Sequence, residues 1–552
     1  MKKIIMTAAV FFLAGIMAYA GGSQPQAGKP QSPAGPVKLT VAITENLTIQ
    51  DYETNYQTRM IEKLTNTDLD FVVYPTTDYL TKLNLMVLAG GGELQDILIA
   101  APADSQVYQW AREKAILPLK KYYDNPGLSA NIRGAVGRAG YDFIKEIVSP
   151  DGEIYGIPRL IQSQHNDFRG RLWYYKPWVD KLGVKIPTNT EEMRTFLRAM
   201  SSSDLNWNGR NDEIAMTGNF LTLINSGTAA GGTFGMWFSF LMNPFTYVGT
   251  QLINVDNGII SVPYNTEGWR SGLKYIRSLF AEGLIPLENL TQDYNQVRTL
   301  MNSNPARVGV FINQSMDIVS DDELAGQYDV APPLRGTNGT QYATVTISTG
   351  TVAFMVSANC KNPEAAFRVG DAMLGEELCI INRYGERGVQ WDYPKDIPDA
   401  ASKFRQLIDK WPPVFAVYND AAFFPGKEAT NHSWKQNGPI LLSDSLSLGR
   451  YIPRETSTRR EDNRTKAINM YTREAYVPKE VVTKLIYSED EMLVISDIQT
   501  TLNNYVLEMT SNFLAGNRYI DASWNAYIAE LNTIGLPRLL STLQKAYDRM
   551  YK

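Results

Sequence analysis

Between Val37 and Ala100 the chain alternates short apolar runs with amphipathic ones, and this period fixes the class of fold open to it. Val37-Lys-Leu-Thr-Val-Ala-Ile43, Asp70 to Tyr74 and Asp96-Ile-Leu-Ile-Ala100 read as strands, with helices expected near Tyr56 to Asn66 and Tyr79 to Ala89. The second helix should stop at Gly90-Gly-Gly92, because glycine tolerates the left-handed backbone that ends a helix. Strands joined through helices pair in parallel, so an α/β fold built on a mostly parallel sheet is expected. At 552 residues the chain exceeds what one core usually organises, so two lobes are expected.

A second constraint lies at Asp204-Leu-Asn-Trp-Asn-Gly-Arg-Asn-Asp-Glu213. Oxygen-bearing side chains stand at its first, third and fifth positions, a glycine turns the chain at the sixth, and two acids close it. Calcium takes six to eight hard oxygen ligands, which such a loop supplies. The expected set is Asp204, Asn206, Asn208, the backbone carbonyl of Arg210, Asp212 and Glu213. The twelfth position, where an EF-hand places its bidentate Glu, is Ala215, so this is a shortened variant. A calcium held by so many protein groups has no open positions, so its expected role is structural and remote from any ligand. An Asx-rich surface turn is the alternative reading.

The N-terminus carries Lys2 and Lys3, an apolar run from Ile4 to Tyr19, and Ala18-Tyr19-Ala20 before Gly21. This pattern is a secretory signal, residues 1–20, with an A-x-A cleavage site. No later stretch reaches about eighteen uninterrupted apolar residues, so no membrane span is expected. Residues 21–36, rich in Gly, Ser, Pro and Gln, read as a flexible leader. With Gly21 rather than Cys at the cleavage point, lipid tethering is not expected, and a periplasmic location follows. Formal charge is −5, or −7 once Lys2 and Lys3 are gone, so nothing draws the whole chain to nucleic acid. Cys360 and Cys379 are nineteen residues apart. A straight helix would separate them by about 28 Å, beyond a disulfide's reach, whereas a bend at Leu374-Gly-Glu-Glu377 would allow one. Both a bridge and two buried thiols remain open.

Asp151-Gly-Glu-Ile-Tyr-Gly-Ile-Pro158, Leu172-Trp-Tyr-Tyr-Lys-Pro-Trp-Val-Asp-Lys-Leu-Gly-Val-Lys-Ile-Pro-Thr188 and the following oxygen-rich loop stand in an order of their own. That order resembles the family-1 extracellular solute-binding proteins of ABC importers, particularly the alginate-oligosaccharide-binding and lipoprotein-type sugar-binding subgroup. The resemblance covers nearly all of the mature chain. It implies a two-lobed periplasmic-binding-protein fold of type II character, with a hinge and a ligand cleft. Lobe 1 would comprise 37–160 and 313–358, and lobe 2 would comprise 161–312 and 359–552 with a helical C-terminal extension. The implied function is capture of an oligosaccharide and its delivery to permease subunits, by a protein expected to be a monomer and not an enzyme.

Ten Trp and thirty Tyr suit such a ligand, because sugar rings stack on aromatic planes. Trp237 and Trp391, in glycine-flanked segments, are the candidate platforms, with core packing as the bland alternative. Arg159, Gln164 and His165 follow the first expected lobe crossing, and Gln314 follows the strand Arg307 to Ile312. These four are candidate polar contacts. An interlobe salt bridge is the other reading of Arg159. Trp110, Trp173, Trp178 and Trp524 are expected to be structural. A secreted, calcium-containing polysaccharide lyase or glycosidase is the competing function. It would need two carboxylates flanking the scissile bond, and no acid-rich catalytic motif stands out.

Overall fold

The computed structural model describes residues 35–552 apart from 163–166, 220, 223–232, 250, 251, 346, 409, 419–428, 455–458 and 473. The signal and nearly all of the leader lie outside the described residues. Val37–Lys552 forms one compact unit. The early alternation produces the expected parallel pairing. Strand Val37–Thr44 lies in parallel register between Thr67–Tyr74 and Ile97–Leu98. The helix between the first two, Tyr56–Thr65, is started by Asn55, whose side chain accepts the Gln57 amide, and is ended by Asn66 in the left-handed conformation.

Thr351–Val356 pairs antiparallel with Ile97–Leu98 on one side and with Ile157–Ile161 on the other. Ile440–Leu442 then runs parallel to Ile157–Ile161 and completes a six-stranded sheet. A second sheet is built on Phe168–Tyr175, which lies between Tyr328–Ala331 and Val308–Asn313, with Ile214–Thr217 beyond. Thr344–Val345 also pairs with Phe168–Tyr175.

Each sheet has its own apolar core. Around the first pack residues from Leu39 to Leu160 and from Val352 to Leu446. Around the second pack Phe168 to Val345 and then Ala467 to Ala546. The chain therefore passes between the cores after Leu160, after Val345 and again between Leu446 and Ala467. This partition differs from the division expected in sequence. Tyr328–Ala331 and Thr344–Val345 belong to the second sheet, and the return to the first comes only at Thr351. Cys360 to Trp391, Phe415, Val417 and Trp434 to Leu446, expected with the second lobe, pack instead on the first core, while Ile397, Phe404, Leu407, Ile408 and Ala416 belong to two smaller clusters. One close contact of that packing is at Gly370 in helix Pro363–Met373, where a Cβ would meet Ile157 at 2.2 Å. Trp110, Trp173, Trp178 and Trp524 are all buried, as their patterns predict. Cys360 and Cys379 are buried free thiols, and burial pushes both up to about 11.

Candidate functional site

A group of polar side chains gathers where the chain passes between the cores. Asp167, on the first passage, accepts hydrogen bonds from the Ser348 amide at 3.2 Å and the Ser348 hydroxyl at 3.0 Å, on the second. Burial pushes the Asp167 carboxyl up to about 7, against the lowering effect of those bonds, with Asp444 adding to the rise and Arg169 opposing it.

Phe168–Tyr175 then carries Arg169 and Arg171 in alternation with Gly170 and Leu172, so the two arginines share a face. Gly170 is required there, because a Cβ would meet Thr344 at 2.7 Å. Burial lowers both guanidinium values, that of Arg171 to about 9. Nη1 of Arg171 donates to the Gln314 carbonyl at 2.7 Å, and Nε1 of Trp173 donates to the Asn313 carbonyl at 3.0 Å. Two successive carbonyls at the end of strand Val308–Asn313 are thus pinned where the strand leaves the sheet.

Of the residues expected to meet a ligand, Arg159 lies in strand Ile157–Ile161, opposite Thr351 and Ile440. It is half-buried, burial alone lowers its proton affinity, and among the described residues no carboxylate is paired with it. An arginine removed from water without a counter-charge is costly to the fold and marks a place where an acceptor from outside would be welcome. Gln314 is half-buried at the pinned strand end. Gln164 and His165 lie outside the described residues.

The two expected platforms are packed in the cores. Trp237 is 1% exposed, bonds the Asn219 carbonyl at 3.0 Å, and stacks edge-on against Phe238 and Phe280. Trp391 is 0% exposed, bonds the Gly385 carbonyl at 2.8 Å, and lies edge-on to Tyr393 and Phe415. Neither ring presents a face to a ligand in this structure. The glycine beside Trp391 that suggested an open loop serves a turn, Gly385 having φ of 102°. Sequence reasoning passed over Asp167, Arg169, Arg171 and Ser348. The signal was there in Arg169-Gly-Arg171, two charges inside an otherwise apolar strand.

The oxygen-rich loop folds as its sequence suggests, with Gly209 at φ of 80°. Asp204 accepts from the amides of Asn208 at 3.1 Å and Gly209 at 2.8 Å, Asn206 accepts from the Asn208 amide at 3.0 Å, and Asn208 accepts from the Arg210 amide at 2.8 Å. Asp212 takes the side-chain amides of Asn208 and Asn206, which lower its pKa, and an ion pair to Arg307 at 3.1 Å. Glu213 Oε1 accepts the Leu205 and Asn206 amides, at 2.7 and 3.0 Å, while its buried Oε2 has no hydrogen-bond partner among the described residues. Among the described residues no three Asp, Glu, His or Cys side chains come together as a metal cluster. A cation here would therefore rest on asparagine and carbonyl oxygens as well as carboxylates. The orphaned Oε2 of Glu213 fits a hard cation, since a buried carboxylate oxygen needs a partner.

Two mixed α/β sheets with separate cores, joined by repeated passages of one chain, define a two-lobed binding-protein fold. The chain belongs to the bacterial extracellular solute-binding protein family, whose model matches residues 48–378. It is 24% identical over 504 residues to the fructooligosaccharide ABC transporter substrate-binding protein FusA of Streptococcus pneumoniae, covering 89% of this chain and 86% of that one. Among solved structures it resembles an HMO-binding, ABC-transporter-associated solute-binding protein from Bifidobacterium longum infantis, with TM-score 0.75 and 19% identity over 94% of this chain and 99% of that one. It also resembles the S. pneumoniae FusA EF-hand mutant in complex with fructo-nystose, with TM-score 0.67 and 22% identity, covering 93% and 99% of the two chains. Among the described residues no helix is long and apolar enough to cross a membrane.

Proposed function

We propose that this protein is the extracytoplasmic binding component of an ABC importer, capturing an oligosaccharide between its lobes and delivering it to permease subunits. The observation that carries this reading is the pair of separate cores joined by passages lined with polar groups, in a chain of the solute-binding family. The relatives' names supply the ligand class, since one binds fructooligosaccharides and another is HMO-binding. Ligand reaching both lobes only when they close would shift the population toward the closed form. The lobes are drawn along the two cores: residues 37–161 with 351–446, and 168–345 with 467–546.

Within this reading, Arg159 and Gln314 are polar contacts, joined by Gln164 and His165, and Asp167 with Ser348 couples the passages. Calcium is assigned a structural place among Asp204, Asn206, Asn208, Arg210, Asp212 and Glu213. The likeness to an EF-hand mutant of FusA and the orphaned Glu213 oxygen support that ion. The signal at residues 1–20 directs the chain to the periplasm, where it acts as a monomer without catalysing a reaction. Calorimetry against fructooligosaccharides, milk-type oligosaccharides and uronate oligomers tests the function. One-to-one complexes with unaltered sugar are expected, and turnover of the sugar would overturn the reading.

A further inference from the structure

The passages are not the only link between the cores. Helix Asp104–Arg112 is anchored in the first core through Val107 and Trp110. Lys484 belongs to the other side, standing between Val482 and Leu485 of the second core. Its Nζ meets Asp104 Oδ2 at 2.8 Å and donates to the Gly350 carbonyl at 3.1 Å. Gly350 lies on the second passage, and its amide donates to Glu146, a buried carboxylate of the first core's side. At the other end of the same helix, Arg112 pairs with Glu489, the first residue of helix Glu489–Ala515, which is anchored in the second core through Ile495, Ile498 and Leu502.

We infer that Asp104–Lys484 and Arg112–Glu489 form a two-point ionic latch that holds the two lobes in one relative placement while no sugar is bound. The two pairs have opposite polarity along the helix, acid at its start and base at its end, about 12 Å apart at 1.5 Å per residue. Sliding or tilting one lobe against the other brings like charges together before a new pair forms, so only one register satisfies both. The pairs differ in weight. Arg112 and Glu489 are 57% and 52% exposed, the range in which an ion pair alone contributes little. Lys484 is only 11% exposed and has a carboxylate, a carbonyl and the nearby charge of Glu146 around it, so moving it away breaks an ion pair and a hydrogen bond that are largely shielded from water. Lys484 is therefore the residue on which the latch turns, and Arg112–Glu489 sets its direction. Glu146, bonded to the same glycine, couples the latch to the passage itself, so a lobe movement and a change in the passage become one event.

The test uses the mature chain without ligand. Spin labels at Leu85→Cys and Leu287→Cys report the distance between lobes, both sites being exposed and the two native thiols buried. The parent should give one narrow distance distribution. Lys484→Met and Asp104→Asn should each widen or split it, with the circular dichroism of a folded chain. Asp104 is 56% exposed, so its variant carries the test if Lys484→Met does not fold. Arg112→Glu should widen the distribution by repulsion from Glu489, and adding Glu489→Arg should narrow it again. Distributions unchanged in Asp104→Asn and Arg112→Glu, or a double variant as wide as Arg112→Glu alone, would overturn the latch while leaving sugar binding untouched as a question.

Discussion

Asp167 takes both the amide and the hydroxyl of Ser348, so two passages between the cores are tied to each other through one carboxylate. That carboxylate is half-buried, has Asp444 near it, and keeps its proton up to about 7.

The native chain therefore holds this proton more tightly than the unfolded one, whose carboxylate releases it near 3.8. A raised folded value means the stabilising state is complete below 3.8 and is lost as pH rises through about 7. Asp167→Asn stays neutral at every pH and can still accept from Ser348. Its stability should match the parent's near pH 4 and exceed it near pH 8, by on the order of 1–2 kcal/mol. Melting curves across that range check this, and parallel pH profiles for the two proteins would refute it.

Arg159 is predicted to trade stability for binding. Its guanidinium is desolvated and, among the described residues, has no paired carboxylate, so Arg159→Met should leave the melting temperature unchanged or raise it. If the guanidinium meets a sugar, the same variant should weaken oligosaccharide affinity about tenfold or more, the scale of one charge-assisted hydrogen bond. A variant that melts lower and binds as well as the parent would make Arg159 a structural residue.

Trp391 and Trp237 should behave as core residues. Trp391→Ala deletes a wholly buried ring and its bond to the Gly385 carbonyl, at a cost of roughly 3–5 kcal/mol. The denaturation midpoint should fall accordingly, and the fraction still folded should keep its sugar affinity. Loss of binding at an unchanged midpoint would return the ring to the ligand site.

Calcium chelation should lower the melting temperature, because an ion bound only by the native state stabilises it by mass action. Asp204→Ala should melt like the chelated parent and should not respond further to chelator. Sugar affinity should be nearly unchanged wherever the metal-free protein stays folded. Chelation that abolished binding without loss of stability would place the ion in the ligand site.

Local periodicity determined much of this molecule. The alternation from Val37 to Ala100 specified three parallel strands and the helices between them, because side-chain period is a property of a few successive residues. The order of motifs up to Glu213 was enough to place the chain in its family, and the spacing of Asp204, Asn206, Asn208 and Gly209 was enough to draw the turn. Tertiary structure alone decided what depends on residues far apart in the chain. It set which core Cys360 to Trp391 join, since that depends on contacts such as Gly370 with Ile157 more than two hundred positions away. It also buried Trp237 and Trp391, whose glycine-flanked segments read equally well as loop or core. The same holds for Asp167 with Ser348 and Asp104 with Lys484: a charge carries no mark of its partner in sequence, and only the packing of two cores brings the pair within reach.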